Sequence, residues 1–346
     1  NSVAINFTGN DAIALQTVSG TNIDVIGVIG DNTNFAANTV LRRNRDVQIP
    51  TVTYNSSQWS ASPVNNTDNF GIHDSECLCP DSTIWDGTSW SSGIPNSTTA
   101  AIINGNYNTS SETSFTSCSL TIFGGFTLII DNGDFIEVEN FVVINNNASL
   151  ITETQGAFVQ RGEGINSGVF KTLPNGSSSV NKTTAILNST NDYTYWSSPV
   201  ANITVSNGLN EANAARRFTF SANNFLDSDG DGIDDDGNVW TQLADTDIMQ
   251  AGKGYISMHG TFSQPLGTTG YNYVFEGEYN SGNIIQSVPY NSLNTINHWN
   301  LLGNPYPSAL NTDLFFSENT TIIDEVLYMW SHINTASSAN PGNEVL

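Results

Sequence analysis

Positive charge is scarce in this sequence: 9 Lys and Arg stand against 33 Asp and Glu, for a net charge of −24 with the four histidines counted as neutral. Nucleic-acid binding needs basic groups to neutralise phosphate, so that class of partner is excluded. Anionic lipid surfaces are repelled for the same reason, while cations are attracted. Cysteine is nearly absent, with three in 346 residues. A bond between Cys77 and Cys79 would close a very tight ring; either reaches Cys118 if the fold brings them together, and a buried, unbridged Cys118 is the competing reading. Only His73 lies near the pair, short of the four coherently spaced ligands of a structural zinc site. No run approaches the roughly 20 apolar residues of a membrane-spanning helix, which argues against direct membrane insertion. The chain opens at Asn1 without a signal peptide and closes on NPGNEVL without a terminal motif, so it is expected to be a processed piece of a longer protein.

Helix-forming composition is also missing. Charged residues make up 12% of the chain and its polarity comes from uncharged side chains, 46 Asn among them with dense Ser and Thr. Short polar side chains compete for backbone hydrogen bonds, which disfavours long helices and suits turns and short strands. Aromatics at 10% argue against global disorder. The expected fold class is therefore all-β, in tandem modules.

Residues 1–62 read as strands at Ala12 to Leu15, Ile23 to Ile29, Val40 to Arg42 and Val52 to Tyr54. Arg42, Arg43 and Arg45 are expected to pair locally with Asp24, Asp31 or Asp46 rather than to form a ligand patch. Residues 63–98 read as a connector, with Trp85 and Trp90 in WDGTSW clamping its joint. From 99 to 165 short apolar runs alternate with Gly, Asp and Asn turns, which predicts rungs of a parallel β-solenoid over an antiparallel meander; Asn145 to Asn147 would supply a ladder or a left-handed corner. Residues 161–190 read as a long exposed loop or hairpin. Residues 190–346 carry aromatic-rich strand patterns that suggest a sandwich, with short helical candidates at 210–217 and 309–318.

The densest chemical signal is DSDGDGIDDD at 227–236. Asp227, Asp229 and Asp231 alternate, and Asp234, Asp235 and Asp236 follow; six carboxylates this close repel one another strongly unless a cation intervenes. Hard oxygen ligands at alternate positions, with glycines permitting a tight wrap, suit Ca2+ better than Mg2+. Asn238 stands where an EF-hand requires its closing Glu, so the loop is not an EF-hand; DxDxDGxxDD is instead similar to the calcium repeats of thrombospondin type 3 and related bacterial linkers. All six aspartates are candidate ligands for a structural calcium.

No catalytic centre is recognisable. The four histidines (His73, His259, His298, His332) lie in no HExxH-type pattern, and no GxSxG elbow or phosphate loop occurs. Lys253 in GKG is expected to offset acidic charge or to contact Asp245 or Asp247. Trp196, Trp240, Trp299 and Trp330 are candidates for stacking on sugars, in competition with core packing.

Longer stretches resemble known families. DAIALQTVSGTNIDVIGVIG, VLRRN and TYNSSQW resemble part of the lamin-tail domain, whose immunoglobulin-like sandwich is then implied for the N-terminal module. WDGTSWSSGIPNSTTAAIINGNYN, YTYWSSPV, AGKGYI, NLLGNPYPSALN and LYMWSH resemble large secreted or cell-surface proteins of the Bacteroidetes exported by the type IX secretion system. The resemblance implies a secreted or surface location. The expected role is a non-catalytic structural or adhesive segment, stabilised by calcium, with other surface proteins, a second copy or extracellular glycans as partners. The runner-up is a carbohydrate-binding accessory region of a secreted hydrolase or nuclease.

Overall fold

The computed structural model describes residues 8–44, 47, 50–64, 79–161, 169–294, 298–324 and 326–329. The chain divides into two compact units, Asn1–Pro80 and Asp81–Leu346. Among the described residues almost all regular structure is β; the α-helices there are α1 (Val205–Gly208) and α2 (Thr312–Asn319), the latter capped by the Asn311 side chain accepting from the Leu314 N–H at 3.0 Å.

In the first unit, β1 (Ile13–Gln16) pairs antiparallel with β2 (Asn22–Ile26), and β3 (Thr39–Arg43) with β4 (Trp59–Pro63). The two ribbons are tied by Asp24, which takes both bonds from Arg43 at 3.0 Å and one from the Thr51 N–H at 3.0 Å. The Arg43 guanidinium also lies 4.8 Å from the Trp59 ring centre. The local pairing expected for the arginines thus forms at Arg43, while Arg45 and Asp46 lie outside the described residues. Val52 to Tyr54 is not a strand. Asn55 caps a 3-10 turn at Ser56–Gln58 through the Ser57 N–H, and the fourth strand begins only at Trp59.

The second unit is built on a parallel β-solenoid. One wall runs β5 (Asp81–Trp85), β6 (Thr99–Ile103), β9 (Ser119–Ile122), β12 (Val142–Ile144), β15 (Phe170–Thr172). The second wall runs β7 (Tyr107–Asn108), β10 (Thr127–Ile130), β13 (Ser149–Thr152), β16 (Ser177–Thr183), and the third β8 (Phe115–Ser117), β11 (Phe135–Val138), β14 (Ala157–Gln160). Neighbouring rungs are in register: Leu120 sits beside Val142, Leu128 beside Leu150 and Ile136 beside Phe158, a repeat of 22 residues in each wall. Register matters because a strand alternates faces every residue. Leu120, Ile122, Leu128, Ile130, Ile136, Val138, Val142, Ile144 and Leu150 all point inward and are fully buried.

The corners explain the Asn and Gly content. Gly125, Asn147 and Asn175 share a left-handed backbone, with φ of 88°, 60° and 62°. They stack through Gly125 N–H to Asn147 O at 2.9 Å and Asn147 N–H to Asn175 O at 3.1 Å. Asparagine is the non-glycine residue that tolerates this conformation best. In the same turn as Gly125, Gly124 is squeezed, since a Cβ there would lie 2.5 Å from Asn146 O.

Aromatic side chains close both ends of the aliphatic column. At the N-terminal end Trp85, Trp90, Tyr107 and Phe115 meet with ring centres 5.0–5.7 Å apart. The tryptophan pair of WDGTSW therefore plugs the solenoid, and β5 extends it back into the segment read as connector. Ser91 covers the open edge of β5, its N–H bonding Ile84 O at 2.9 Å and its hydroxyl accepting from Ile84 N–H at 3.0 Å. At the other end Tyr279 stacks on Phe170 at 4.8 Å and touches Phe158, and its hydroxyl donates to Ser179 O at 2.6 Å. Pro307 of GNPYPSALN accepts from the Phe158 N–H at 2.8 Å, so this motif caps β14. Within it Asn304 accepts from the Tyr306 N–H at 3.0 Å.

Two further expectations are overturned. The stretch read as an exposed loop or hairpin over 161–190 contains β15 and β16, which do not pair with each other but extend the first and second walls; their Ser, Thr and Asn residues hide the alternation, but Ser178 and Val180 point inward. The helical candidate 210–217 falls in the long strand β18 (Ala212–Phe220). There the ladder to its neighbours and the burial of Arg217 against Asp245, at 2.6 Å, outweigh the helix propensity of the Ala–Arg run. β18 belongs to an antiparallel sheet ordered β17 (Tyr193–Trp196), β20 (Tyr255–His259), β18, β19 (Trp240–Gln242). β21 (Asn272–Glu276) joins this region to the solenoid by pairing antiparallel with β16, and Trp196 packs 4.3 Å from Tyr273.

Replacing Leu128 by Ala should cost about 3 kcal/mol in urea unfolding, whereas the outward-facing neighbour Ile129→Ala should cost about 1 kcal/mol or less. Asn147→Ala should cost about 1 kcal/mol while Asn147→Gly is tolerated, because the position demands a left-handed backbone rather than an amide.

Candidate metal centre

The acidic loop leaves the 3-10 turn Ala222–Asn224 and returns at Val239 to enter β19. Its base is held by the protein's own polar groups. The Asp227 N–H donates to Asn294 Oδ1 at 2.9 Å, and the Asn294 amide donates to Phe225 O at 2.8 Å. Asp234 accepts from Leu226 N–H at 2.9 Å and from Val239 N–H at 3.3 Å, bracing the two strands of the loop. Asp235 accepts from the Ser228 N–H at 2.7 Å, and Asp236 accepts from the Asn238 amide at 2.9 Å.

The remaining three aspartates converge. Ligand oxygens of Asp227, Asp229 and Asp231 all lie within 4.8 Å of one another. Asp227 is only 4% exposed, whereas Asp229 and Asp231 face solvent. The wrap depends on glycine: Gly230 and Gly232 have φ of 79° and 81°, and their N–H groups bond the two Asp227 oxygens at 2.8 and 3.0 Å. Asp231 accepts from Ile233 N–H at 2.8 Å, and Asp229 accepts from Asp231 N–H at 3.2 Å.

Of the six residues nominated from sequence, the fold brings three to one point and sets three elsewhere. The donor set suits a hard cation. Two oxygens on one Ca2+, each at 2.3–2.6 Å, lie at most about 5 Å apart, which the three carboxylates satisfy. Three carboxylates fall short of the six to eight oxygens Ca2+ takes, so main-chain carbonyls or water would complete the shell. The pairwise roles of Asp234 and Asp235 in closing the loop were not visible in the sequence, where all six are equivalent acids.

Other nominated residues have structural partners. Trp196 is buried and donates to Ser257 Oγ at 2.9 Å, and Trp299 packs edge-on to Tyr328 at 4.7 Å. Trp240 is 40% exposed. Trp330, His73, His332 and Cys77 lie outside the described residues, while Cys79 and Cys118 are both disulfide-bonded. Among the described residues no helix is long and apolar enough to cross a membrane.

The family model of DUF8693, a domain of unknown function, matches residues 80–343, so its start coincides with the start of the second compact unit. No curated protein and no solved structure matches the chain.

His259 is the most strongly embedded histidine among the described residues. Its ring stacks 3.8 Å from Tyr271, one nitrogen meets Tyr273 Oη at 3.0 Å and the other Thr261 O at 2.9 Å. Burial holds its pKa below the ordinary value, against smaller opposing effects of the Thr261 carbonyl and the Glu211 carboxylate. The unfolded chain thus takes up the proton first as pH falls, and folding stability present above about pH 6.5 is lost below it. Urea midpoints at pH 7.5, 6.5 and 5.5 should fall across the lower interval in the wild type, and this slope should flatten in His259→Gln.

Proposed function

The chain belongs to the DUF8693 family, and from that premise we propose that it is a non-catalytic structural or adhesive segment of an extracellular bacterial surface protein, its acidic loop ordered by calcium. The convergence of Asp227, Asp229 and Asp231 at the head of a glycine-wrapped loop carries this reading. Three carboxylates so close are mutually repulsive, and in a chain of net charge −24 a divalent cation relieves both the local and the global repulsion. Calcium is abundant outside cells and loops of this kind hold it in the range extracellular modules use.

The solenoid supports the structural part. Its ends are plugged by aromatic clusters, and the outer edges of β5, β14 and β16 are met by Ser91, Pro307 and β21, which limits edge-to-edge association there. The disulfide state of Cys79 and Cys118 suits an oxidising compartment. The resemblance to type IX secretion cargo and to lamin-tail modules points the same way.

Calcium titration of the intact chain tests the reading. Calorimetry should detect uptake, and free calcium at 100 times its Kd should stabilise the fold by about 2.7 kcal/mol. Chelation should reverse the gain. The triple variant D227N/D229N/D231N should lose it while D236N keeps it. A wild type that takes up no calcium overturns the proposal.

A further inference from the structure

Two stretches of the second unit meet beside the ends of β18 and β20. Lys253 of AGKGYI forms an antiparallel bridge with Leu302 of NLLGNPYPSALN, and the Gly254 and Gly303 N–H groups bond Leu301 O and Gly252 O, each at 3.0 Å. Glycine is required for this approach: a Cβ on Gly254 would lie 2.5 Å from Leu301 Cγ. Between this pair and the turn Ala222–Asn224 lies a cleft of about 350 Å³ whose polar lining includes Asn223, Asn224, Lys253, Gln286 and Asn300. That volume is at the small end of ligand clefts, and the lining is unusually rich in side-chain amides.

Lys253 is the cation of the cleft. It is half-buried, yet among the described residues no carboxylate lies within ion-pair distance of its ammonium. The partners expected for it are engaged elsewhere: Asp245 pairs with Arg217 at 2.6 Å, and Asp247 accepts from the Ala244 N–H at 2.8 Å. In a chain with 33 acids, an ammonium with no carboxylate partner among the described residues is not accounted for by charge balance within the fold. The amides around it keep bonding capacity. Asn300 spends one donor on Pro289 O at 2.9 Å and Asn224 one on Asn238 O at 3.4 Å, which leaves their carbonyl oxygens available. Phe220 contributes to the cleft and packs edge-on to Trp240, 5.3 Å away, so an exposed aromatic stands beside it.

We propose that this cleft binds an acidic sugar residue, a pyranose bearing a carboxylate or a sulfate. Lys253 meets the anion, the amides of Asn223, Asn224 and Asn300 meet vicinal hydroxyls, and the Phe220–Trp240 pair offers a surface to the ring. Amides bond hydroxyls as both donor and acceptor, which suits a sugar better than an isolated anion. Long-range repulsion by the acidic chain is screened beyond about 8 Å at physiological salt, so the local ammonium decides. The site stands independently of the calcium reading.

Titration of the intact chain with oligogalacturonate, with a chondroitin sulfate oligosaccharide and with a neutral malto-oligosaccharide, each with calcium and with chelator, tests it. At least one acidic oligosaccharide should bind, and which one identifies the anion. Lys253→Gln should weaken that binding at least tenfold and remove most of its salt dependence. Asn223→Ala, at an exposed position, should weaken it severalfold with unchanged thermal unfolding, which guards against a folding defect at Lys253. No binding of either acidic probe, equal binding of the neutral one, or indifference to both substitutions would overturn the assignment. D227N/D229N/D231N tests calcium uptake without touching the cleft, so either reading can fail alone.

Discussion

Parallel stacking in register is the constraint on which the second unit depends. Each rung places its apolar residues directly over those of the rung before, so that Leu120, Val142 and Phe170 form one column and Leu128, Leu150 and Ser178 another. A shift of one residue in any strand would turn its inward set to water. The walls tolerate little variation inside and a great deal outside, which is why a chain with only 38% hydrophobic residues builds a continuous dry core. Asparagine at the corners makes the register cheap to maintain, since Asn147 and Asn175 adopt the left-handed turn and bond the corner of the next rung.

A stack of this kind has two exposed ends, and the chain closes each with aromatics. Large rings fill the tapering space that aliphatic side chains would leave open, and the indole and phenol groups find backbone partners: Trp85 donates to Asn106 O at 3.0 Å and Tyr107 to Thr113 O at 2.7 Å. At the far end the Tyr279 hydroxyl, deeply buried, is held neutral by desolvation and bonds Ser179 and Thr152. The antiparallel sheet grows out of this second plug through β21, so the part carrying the acidic loop and the amide-lined cleft is anchored on the rod itself.

The acidic loop shows two uses of one residue type. Asp234 and Asp235 act as backbone staples, replacing strand pairing where the chain has none, and their charge is stabilised by N–H donors. Asp227, Asp229 and Asp231 bond the loop as well, but are drawn together in doing so, and that crowding is what a cation would relieve.

Much was legible in the sequence alone: the absence of long helices, the β-rich class, the rung rhythm between 99 and 165, a special role for Asn145 to Asn147 as ladder or corner, and the acidic loop itself. These are properties of local composition and spacing, and short-range sterics and hydrogen bonding decide them. Tertiary structure decided the rest. Whether the rungs paired parallel depended on partners 22 residues away, which alternation within one strand does not encode. The Ser-rich last rung and β18 took their form from neighbours that bury Val180 and Arg217, against their own propensities. Which aspartates staple and which converge, and that Lys253 would face a cleft without a carboxylate, followed from where distant backbone N–H groups and side chains were brought in space, an outcome fixed by packing and invisible in residue type.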